Sequence, residues 1–159
     1  MRLKERLQPW LTSSLNDPIV KIIAPHSHLT RTQLETLLID ILSENMAGKT
    51  LKYDEKAALR LTKAQISRGA FNRTLKQAKE NVTKSIYTVI LLGYLGVFES
   101  TTLDPYLEIA NKLRTYLEAY KDIPNNSTDV SERIKVIELL REELETSLKH
   151  LADPTSRDL

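Results

Sequence analysis

Apolar side chains recur at every third or fourth position along most of the chain, a spacing that is typical of helices with one buried face. The first such segment ends before Pro18 and is limited further by Pro9, so it predicts a short helix that packs the single tryptophan, Trp10. The pattern as a whole predicts an all-α protein.

Two helices with a turn between them are predicted over residues 30–61. Thr30 with Gln33, and equally Thr32 with Glu35, have the spacing of a capping box, and a helix is expected over about 31–46. Gly48 stands where a helix ends in a left-handed residue, and Asp54 is placed to cap a short helix over 55–61. The inward positions of the longer helix are predicted to be Leu34, Leu37, Leu38, Ile41 and Leu42.

The longest helical pattern begins after Ser67, which is a good N-cap residue. Thr83 offers a second cap, so one long helix and two successive helices both fit. The apolar stripe comprises Phe71, Leu75, Ala78, Val82, Ile86, Val89 and Ile90. Polar and basic residues lie away from this stripe or on its flanks: Arg68, Asn72, Arg73, Lys76, Lys79 and Lys84.

The last third predicts further helices and an assembly element. Residues 94–98 fit a short strand or a tight apolar turn, Asp104 and Pro105 mark a new helix start, and residues 122–128 have the composition of a linker. Beyond the linker, heptad spacing predicts a helix that pairs with a second copy, although Arg141 interrupts the heptads and the helix also fits the chain's own bundle. The expected dimer residues are Val130, Ile134, Ile137, Leu144, Leu148 and Leu151.

Charge is segregated along the chain. Residues 49–84 carry ten basic and three acidic side chains, whereas residues 98–159 carry eight basic and thirteen acidic ones. A region this basic is typical of a surface that binds a polyanion. The structural alternative is a solvated helix face that is rich in lysine.

Several classes of function lack the residues that they need. The chain has no cysteine, glycine-rich phosphate loop, His-Glu-x-x-His motif or serine elbow, so we expect no enzyme activity and no cofactor. His26 and His28 share a predicted loop without a third ligand, so no metal site is expected. The charged N-terminus predicts no secretory signal, and the longest apolar run, residues 89–98, is too short for a bilayer. We therefore expect a cytoplasmic protein without a membrane partner, associated with the nucleoid if it binds DNA.

Two segments resemble known DNA-binding elements. The segment ISRGAFNRTLKQA, residues 66–78, resembles the recognition helices of sigma-factor region 4 and related helix-turn-helix regulators. This resemblance implies that residues 55–61 form the first helix and that Arg68, Asn72, Arg73 and Lys76 face DNA.

The second segment, TKSIYTVILLGYLGVF, residues 83–98, looks like the recognition helix and the start of the wing in a winged-helix domain. In this register Lys84, Ser85, Tyr87 and Thr88 would face outward. The first register carries more positive charge, and we prefer it for that reason.

The residue types suggest how the contacts divide. Arginine can make a bidentate contact to guanine and asparagine to adenine, whereas lysines mostly contact phosphates. The expected base-reading residues are Arg68, Asn72 and Arg73. The expected backbone contacts are Lys63, Lys76, Lys79 and Lys84.

The predicted organisation has four parts: an N-terminal helix and loop (1–29), a helix-turn-helix-like nucleic-acid-binding domain with or without a minimal wing (30–100), a helical assembly region (104–151) and a flexible tail (152–159). The expected function is that of a homodimeric, duplex-DNA-binding transcriptional regulator or chromosome-associated factor. The alternatives are a helical protein-protein adaptor and a binder of single-stranded nucleic acid.

Overall fold

The structure, a computed structural model, describes residues 2–62, 64–97, 104–121, 135, 138–139 and 141–146. This part of the chain contains six α-helices, a 3-10 helix and a further helical stretch at 141–146, and no strand occurs in it, so the all-α prediction is confirmed there. The chain divides into two units, Met1–Ile86 and Tyr87–Leu159. The predicted domain boundaries stay predictions.

The first helix, α1 (Leu3–Leu15), continues through Pro9 and is longer than the two prolines suggested. Its buried residues are spaced four apart: Leu7, Leu11 and Leu15. Trp10 lies off this stripe and is 43% exposed, so the prediction that the helix packs its tryptophan is wrong. Leu7 and Leu11 of this stripe pack α1 into the core.

Helices α2 (Pro18–Ile23) and α3 (Arg31–Ala47) are joined by the 3-10 helix Ala24–His26 and a short loop. The start of α3 is as predicted, because Thr30 Oγ1 accepts a hydrogen bond from the Gln33 amide while Gln33 Oε1 accepts one from the Thr30 amide. Its end is also as predicted, with Gly48 at φ 64°.

The buried face of α3 is more polar than its apolar pattern predicted. Ile41, expected inside, is exposed, whereas Glu35, Thr36 and Ser43 are buried together with Ile39. The helix is therefore rotated relative to the predicted stripe, and a carboxylate faces the interior.

The next helix, α4, spans only Tyr53–Ala57 and begins one residue before the predicted cap, Asp54. The Lys52 amide donates to Glu55 Oε2 at 2.7 Å, so this contact caps the helix instead. Ala57 is buried, whereas Ala58 is exposed.

One continuous helix, α5 (Arg68–Tyr94), settles the choice between one helix and two. Ser67 caps it as predicted, because its Oγ accepts a hydrogen bond from the Ala70 amide at 3.2 Å. The helix ends in a Schellman turn, in which Gly96 has φ 72° and the Val97 amide donates to the Leu92 carbonyl. Residues 95–97 thus form a turn and not a strand, and residue 98 of the predicted segment lies outside the described residues.

The core of the first unit lies where α1, α3, α4 and the start of α5 meet. Phe71 and Leu75 of α5 are buried as predicted, and Phe71 lies near the Tyr53 ring with 6.4 Å between ring centroids. The buried core residues are Leu7, Leu11, Ile39, Leu51, Ala57, Leu59, Phe71 and Leu75. Toward the C-terminal end of α5 the predicted stripe is not buried, because Val82, Ile86 and Ile90 are exposed.

In the second unit, helix α6 (Asp104–Lys121) begins at the predicted restart, and residues 141–146 are helical. Arg141 is exposed and pairs with Glu145 at 2.9 Å. Leu144 is 8% exposed within the single chain. The other predicted dimer residues lie outside the described residues: Val130, Ile134, Ile137, Leu148 and Leu151.

Candidate nucleic-acid interface

The first half of α5 separates apolar from polar side chains as its sequence predicted. Phe71, Leu75 and Ala78 are buried against the core. The side chains that the helix consequently presents to solvent, here termed the α5 basic face, are Arg68, Asn72, Arg73 and Lys76. Lys63, the predicted backbone contact before this helix, lies outside the described residues.

The cations of the α5 basic face have loose partners or none among the described residues. Arg68 Nε lies 3.7 Å from Asp54 Oδ1, and Lys76 Nζ lies 3.9 Å from Glu80 Oε1. Both pairs are strongly exposed, so solvent and salt screen them and each contributes at most about 1 kcal/mol. Arg73 has no ion-pair partner in the described part of the chain. These three charges remain available to an external anion.

Two further predicted contacts, Lys79 and Lys84, are exposed on the same helix. Lys79 differs from the rest because its Nζ lies 2.7 Å from Asp40 Oδ2 of α3. This lysine therefore links α5 to α3, and a phosphate would have to compete with Asp40 for it.

The winged-helix register over residues 83–98 predicted a helix that starts at Thr83, but α5 is continuous through this position. Thr83 lies inside the helix and does not begin one, and the described residues after it contain no strand that could start a wing. Ser85 is half-buried and donates a hydrogen bond to the Asn81 carbonyl at 2.9 Å, whereas Tyr87 and Thr88 are exposed.

Two cations of the basic region serve a different purpose and are buried. Lys56 of α4 is 4% exposed, and its ammonium donates to Asp40 at 2.7 Å and lies 2.8 Å from Glu44 Oε1. Burial acts to lower the pKa of Lys56, but hydrogen bonds to the two carboxylates outweigh burial and raise it. Burial likewise acts to raise the pKa of Asp40, yet hydrogen bonds from Lys56 and Lys79 lower it. The pKa of Glu44 is lowered by hydrogen bonds from Lys56 and the Leu51 amide.

Arg60 makes the second buried contact. Its Nη2 donates to Glu35 Oε2 at 3.0 Å, and the other oxygen of Glu35 accepts from the Leu61 amide at 2.7 Å. Gln8 of α1 donates to the Arg60 carbonyl at 2.8 Å. The two clusters together, here termed the polar junction, comprise buried Glu35, Lys56 and Arg60 with the partly exposed Asp40 and Glu44. They attach the 51–61 segment to α3 and α1.

Sequence reasoning missed the polar junction because the partners lie in different segments. Lys56 and Arg60 were counted within the basic region 49–84, whereas their carboxylates belong to α3. The positive charge of the region is therefore partly neutralised in the fold. A carboxylate on the inward side of α3 was the only sequence signal, and it was masked by the neighbouring leucines.

The connection between α4 and α5 is longer than in a typical helix-turn-helix motif. It runs from residue 58 to residue 67, which is ten residues, compared with a turn of about three or four. The exposed face of α5 is thus held by the packing of Phe71 and Leu75 and by the contact of Lys79 with Asp40 of α3, without a tight turn before it.

Comparisons with models of protein families, with curated proteins and with solved structures found no match. Among the helices of the described residues, none combines the length and apolar character that a bilayer span needs. No group of three or more His, Asp or Glu side chains with a geometry suited to a metal occurs in the same residues.

Proposed function

We propose that this chain binds nucleic acid through the α5 basic face, with duplex DNA as the target and a transcriptional or chromosomal role. The observation that carries the proposal is the exposure of Arg73 and Lys76 opposite the buried Phe71 and Leu75. A rigidly held helix with cations on its free side offers phosphates a surface that needs little reorganisation on binding.

The chemistry of this surface supports readout of bases as well as attraction to phosphates. Arg68, Asn72 and Arg73 carry donors that suit guanine and adenine edges in the major groove, and Lys76 suits a phosphate. The proposal depends on α5 itself. It does not require α4 as the first helix of a short-turn motif.

A second candidate function, a helical adaptor for a protein partner, is supported by exposed apolar side chains near the end of α5. Ile90, Leu91 and Leu95 are each more than half exposed, as are the aromatic side chains Tyr87 and Tyr94. Exposed apolar groups in such number are typical of protein interaction sites. A homodimer through the predicted helix over 130–151 would be one form of this function. Leu144, which is 8% exposed within the single chain, would contribute only after a rearrangement that exposes it.

A binding experiment separates the two candidates. Fluorescence anisotropy measures binding of the chain to duplex DNA, single-stranded DNA and RNA of matched length over a range of salt concentrations. If all three cations of the α5 basic face, Arg68, Arg73 and Lys76, displace counterions from the duplex, log K against log salt should have a slope of about −3. We expect duplex to bind most tightly. Tighter binding of single strands would favour the single-strand alternative, and no binding to any of the three would favour the adaptor.

A further inference from the structure

The last turns of α5 present apolar side chains to solvent along one side of the helix. Tyr87, Ile90, Leu91 and Tyr94 recur at steps of three and four, so they lie on the same side. Leu95, which directly follows the helix, is also exposed. These five residues, here termed the α5 apolar face, are between 53% and 83% exposed, and all belong to the second unit.

The opposite side of the same turns is the side that packs within the chain. Val89 and Leu92 are half-buried there, and Gly93 is buried. The helix therefore already has an inward side in this region, and the α5 apolar face is not part of it. Apolar groups of this size are unfavourable in water, so a cover for them would be stabilising.

The charge of this segment favours one kind of cover. Residues 85–98 carry no charged side chain on any side of the helix. A strongly acidic or basic partner would meet no opposite charge there, and helices that lie on a lipid surface typically carry Lys or Arg on their polar side. A second copy of the same face is equally neutral, and the net charge of +2 on the whole chain adds little repulsion between copies.

The residue types also match those of protein interfaces. Tyr87 and Tyr94 are seven residues apart, near the two ends of the α5 apolar face. Tyrosine is enriched in interface cores, whereas Lys, Glu and Asp are depleted from them. A tyrosine ring contributes a large contact area, and its hydroxyl can pair across the interface.

The area of the face is sufficient for a dimer. With about 200 Å² for the whole surface of each of these residues, the exposed fractions amount to roughly 640 Å² on one chain. A typical monomer has no apolar patch larger than about 300–600 Å². Covering the face on two chains would bury about 1,300 Å², which is at the lower end of the range for specific interfaces. An interface of this size predicts a dimer that dissociates on dilution.

We propose that the α5 apolar face is a homodimer interface, covered by the same face of a second copy. Such a two-fold contact is self-complementary, so Ile90 and Leu91 of one copy pack among the same residues of the other. This surface is distinct from the predicted helix over 130–151. The inference goes beyond the proposed function and stands whether or not the chain binds nucleic acid.

The test begins with the oligomeric state of the full chain. Sedimentation equilibrium from about 1 to 200 µM should show a monomer and a dimer in exchange, with a dissociation constant in the micromolar range. Dilution over the same range should move the NMR amide signals of residues 87–95 and leave those of the α5 basic face in place. These signals locate the contact.

The variant Leu91→Glu should raise the dissociation constant of the dimer at least about 100-fold, because it brings a charge from each copy into an apolar contact. Leu91 is exposed in the single chain, so circular dichroism should show unchanged helicity. A neutral second variant, Ile90→Ser, should raise the dissociation constant about tenfold. The matched control is Leu107→Glu on α6, an exposed leucine of the same unit outside the face, which should dimerise as the parent does.

A parent chain that stays monomeric at all these concentrations would overturn the inference. A dimer that is unchanged in both Leu91→Glu and Ile90→Ser would also overturn it and would assign the contact to another surface. Phosphatidylcholine vesicles are the probe for the lipid alternative. A monomeric parent whose signals at 87–95 shift on adding these vesicles would overturn the inference and identify a lipid surface as the cover.

Discussion

The polar junction and the α5 basic face contain the same cationic residue types, lysine and arginine, in different environments. In the junction, Lys56 and Arg60 are buried and held at 2.7 to 3.0 Å by carboxylates of α3. On the basic face, Arg73 and Lys76 are exposed, and the nearest carboxylate to Lys76 is 3.9 Å away. The first pair is bound into the fold, whereas the second pair makes no close contact with a carboxylate of the described residues.

The difference teaches that charge counted along a sequence overstates charge on a surface. A carboxylate that is distant in the sequence can neutralise a cation in the fold, as Asp40 does for Lys56 and also for Lys79. Loss of one partner from a buried pair leaves an uncompensated charge and is strongly destabilising, whereas exposed pairs contribute little. The two regions should therefore respond to substitution in opposite ways.

The largest effect on stability is expected for Glu35→Ala. This change removes the acceptor of both the Arg60 guanidinium and the Leu61 amide, so the free energy of unfolding should fall by about 3–5 kcal/mol. Urea denaturation followed by circular dichroism measures the loss. The control is Glu80→Ala. Within the described part of the chain, the Glu80 carboxylate pairs only with exposed Lys76, so this change should alter stability by less than about 0.5 kcal/mol. Equal effects would show that Glu35 is not a structural partner.

A smaller effect, about 2 kcal/mol, is expected for Lys56→Met, because Glu44 is partly exposed and Lys79 still neutralises Asp40. The lowered pKa values of Asp40 and Glu44 mean that their stabilisation is present at neutral pH and is lost as the pH falls through their folded values, below about pH 4. The raised pKa of Lys56 means that its contribution is lost as the pH rises through its folded value, above about pH 10.4.

The pH dependence gives the Lys56 prediction its control. Unfolding free energies of the parent and the Lys56→Met variant, measured from acid to alkaline pH, should differ most near neutrality and converge at both extremes. Lys49→Met, a change at an exposed lysine, should run parallel to the parent. If the profile of Lys56→Met ran parallel to that of the parent, ionisation of Lys56 and its partners would not contribute to the pH dependence of stability.

Local signals predicted the helices well, and contacts between distant segments were the part that could not be predicted. Capping by Thr30 and Ser67 and the left-handed Gly48 depend on neighbouring residues, so sequence was sufficient for them. The burial of Glu35 depends on Arg60, which is 25 residues away, and only the fold brings the two together. The α5 basic face was predictable because the helical spacing of the buried Phe71 and Leu75 fixes which residues of the same helix lie on its opposite, exposed side.

The smallest effect on stability is expected for the double variant Arg73→Glu, Lys76→Glu. Both side chains are exposed, so the free energy of unfolding should change by about 0.5 kcal/mol or less. A matched control is Lys112→Glu, Arg114→Glu on α6, which changes the net charge by the same amount at exposed positions elsewhere.

Duplex DNA affinity of these two variants at fixed salt tests the central claim most directly. If the α5 basic face is the contact surface, the Arg73 and Lys76 variant should bind about 100-fold more weakly than the parent or not at all, because each contact is worth about 1–3 kcal/mol. The α6 variant should retain most of the affinity. Similar losses in both variants, or undiminished binding by the α5 variant, would contradict the assignment of nucleic-acid contact to this helix.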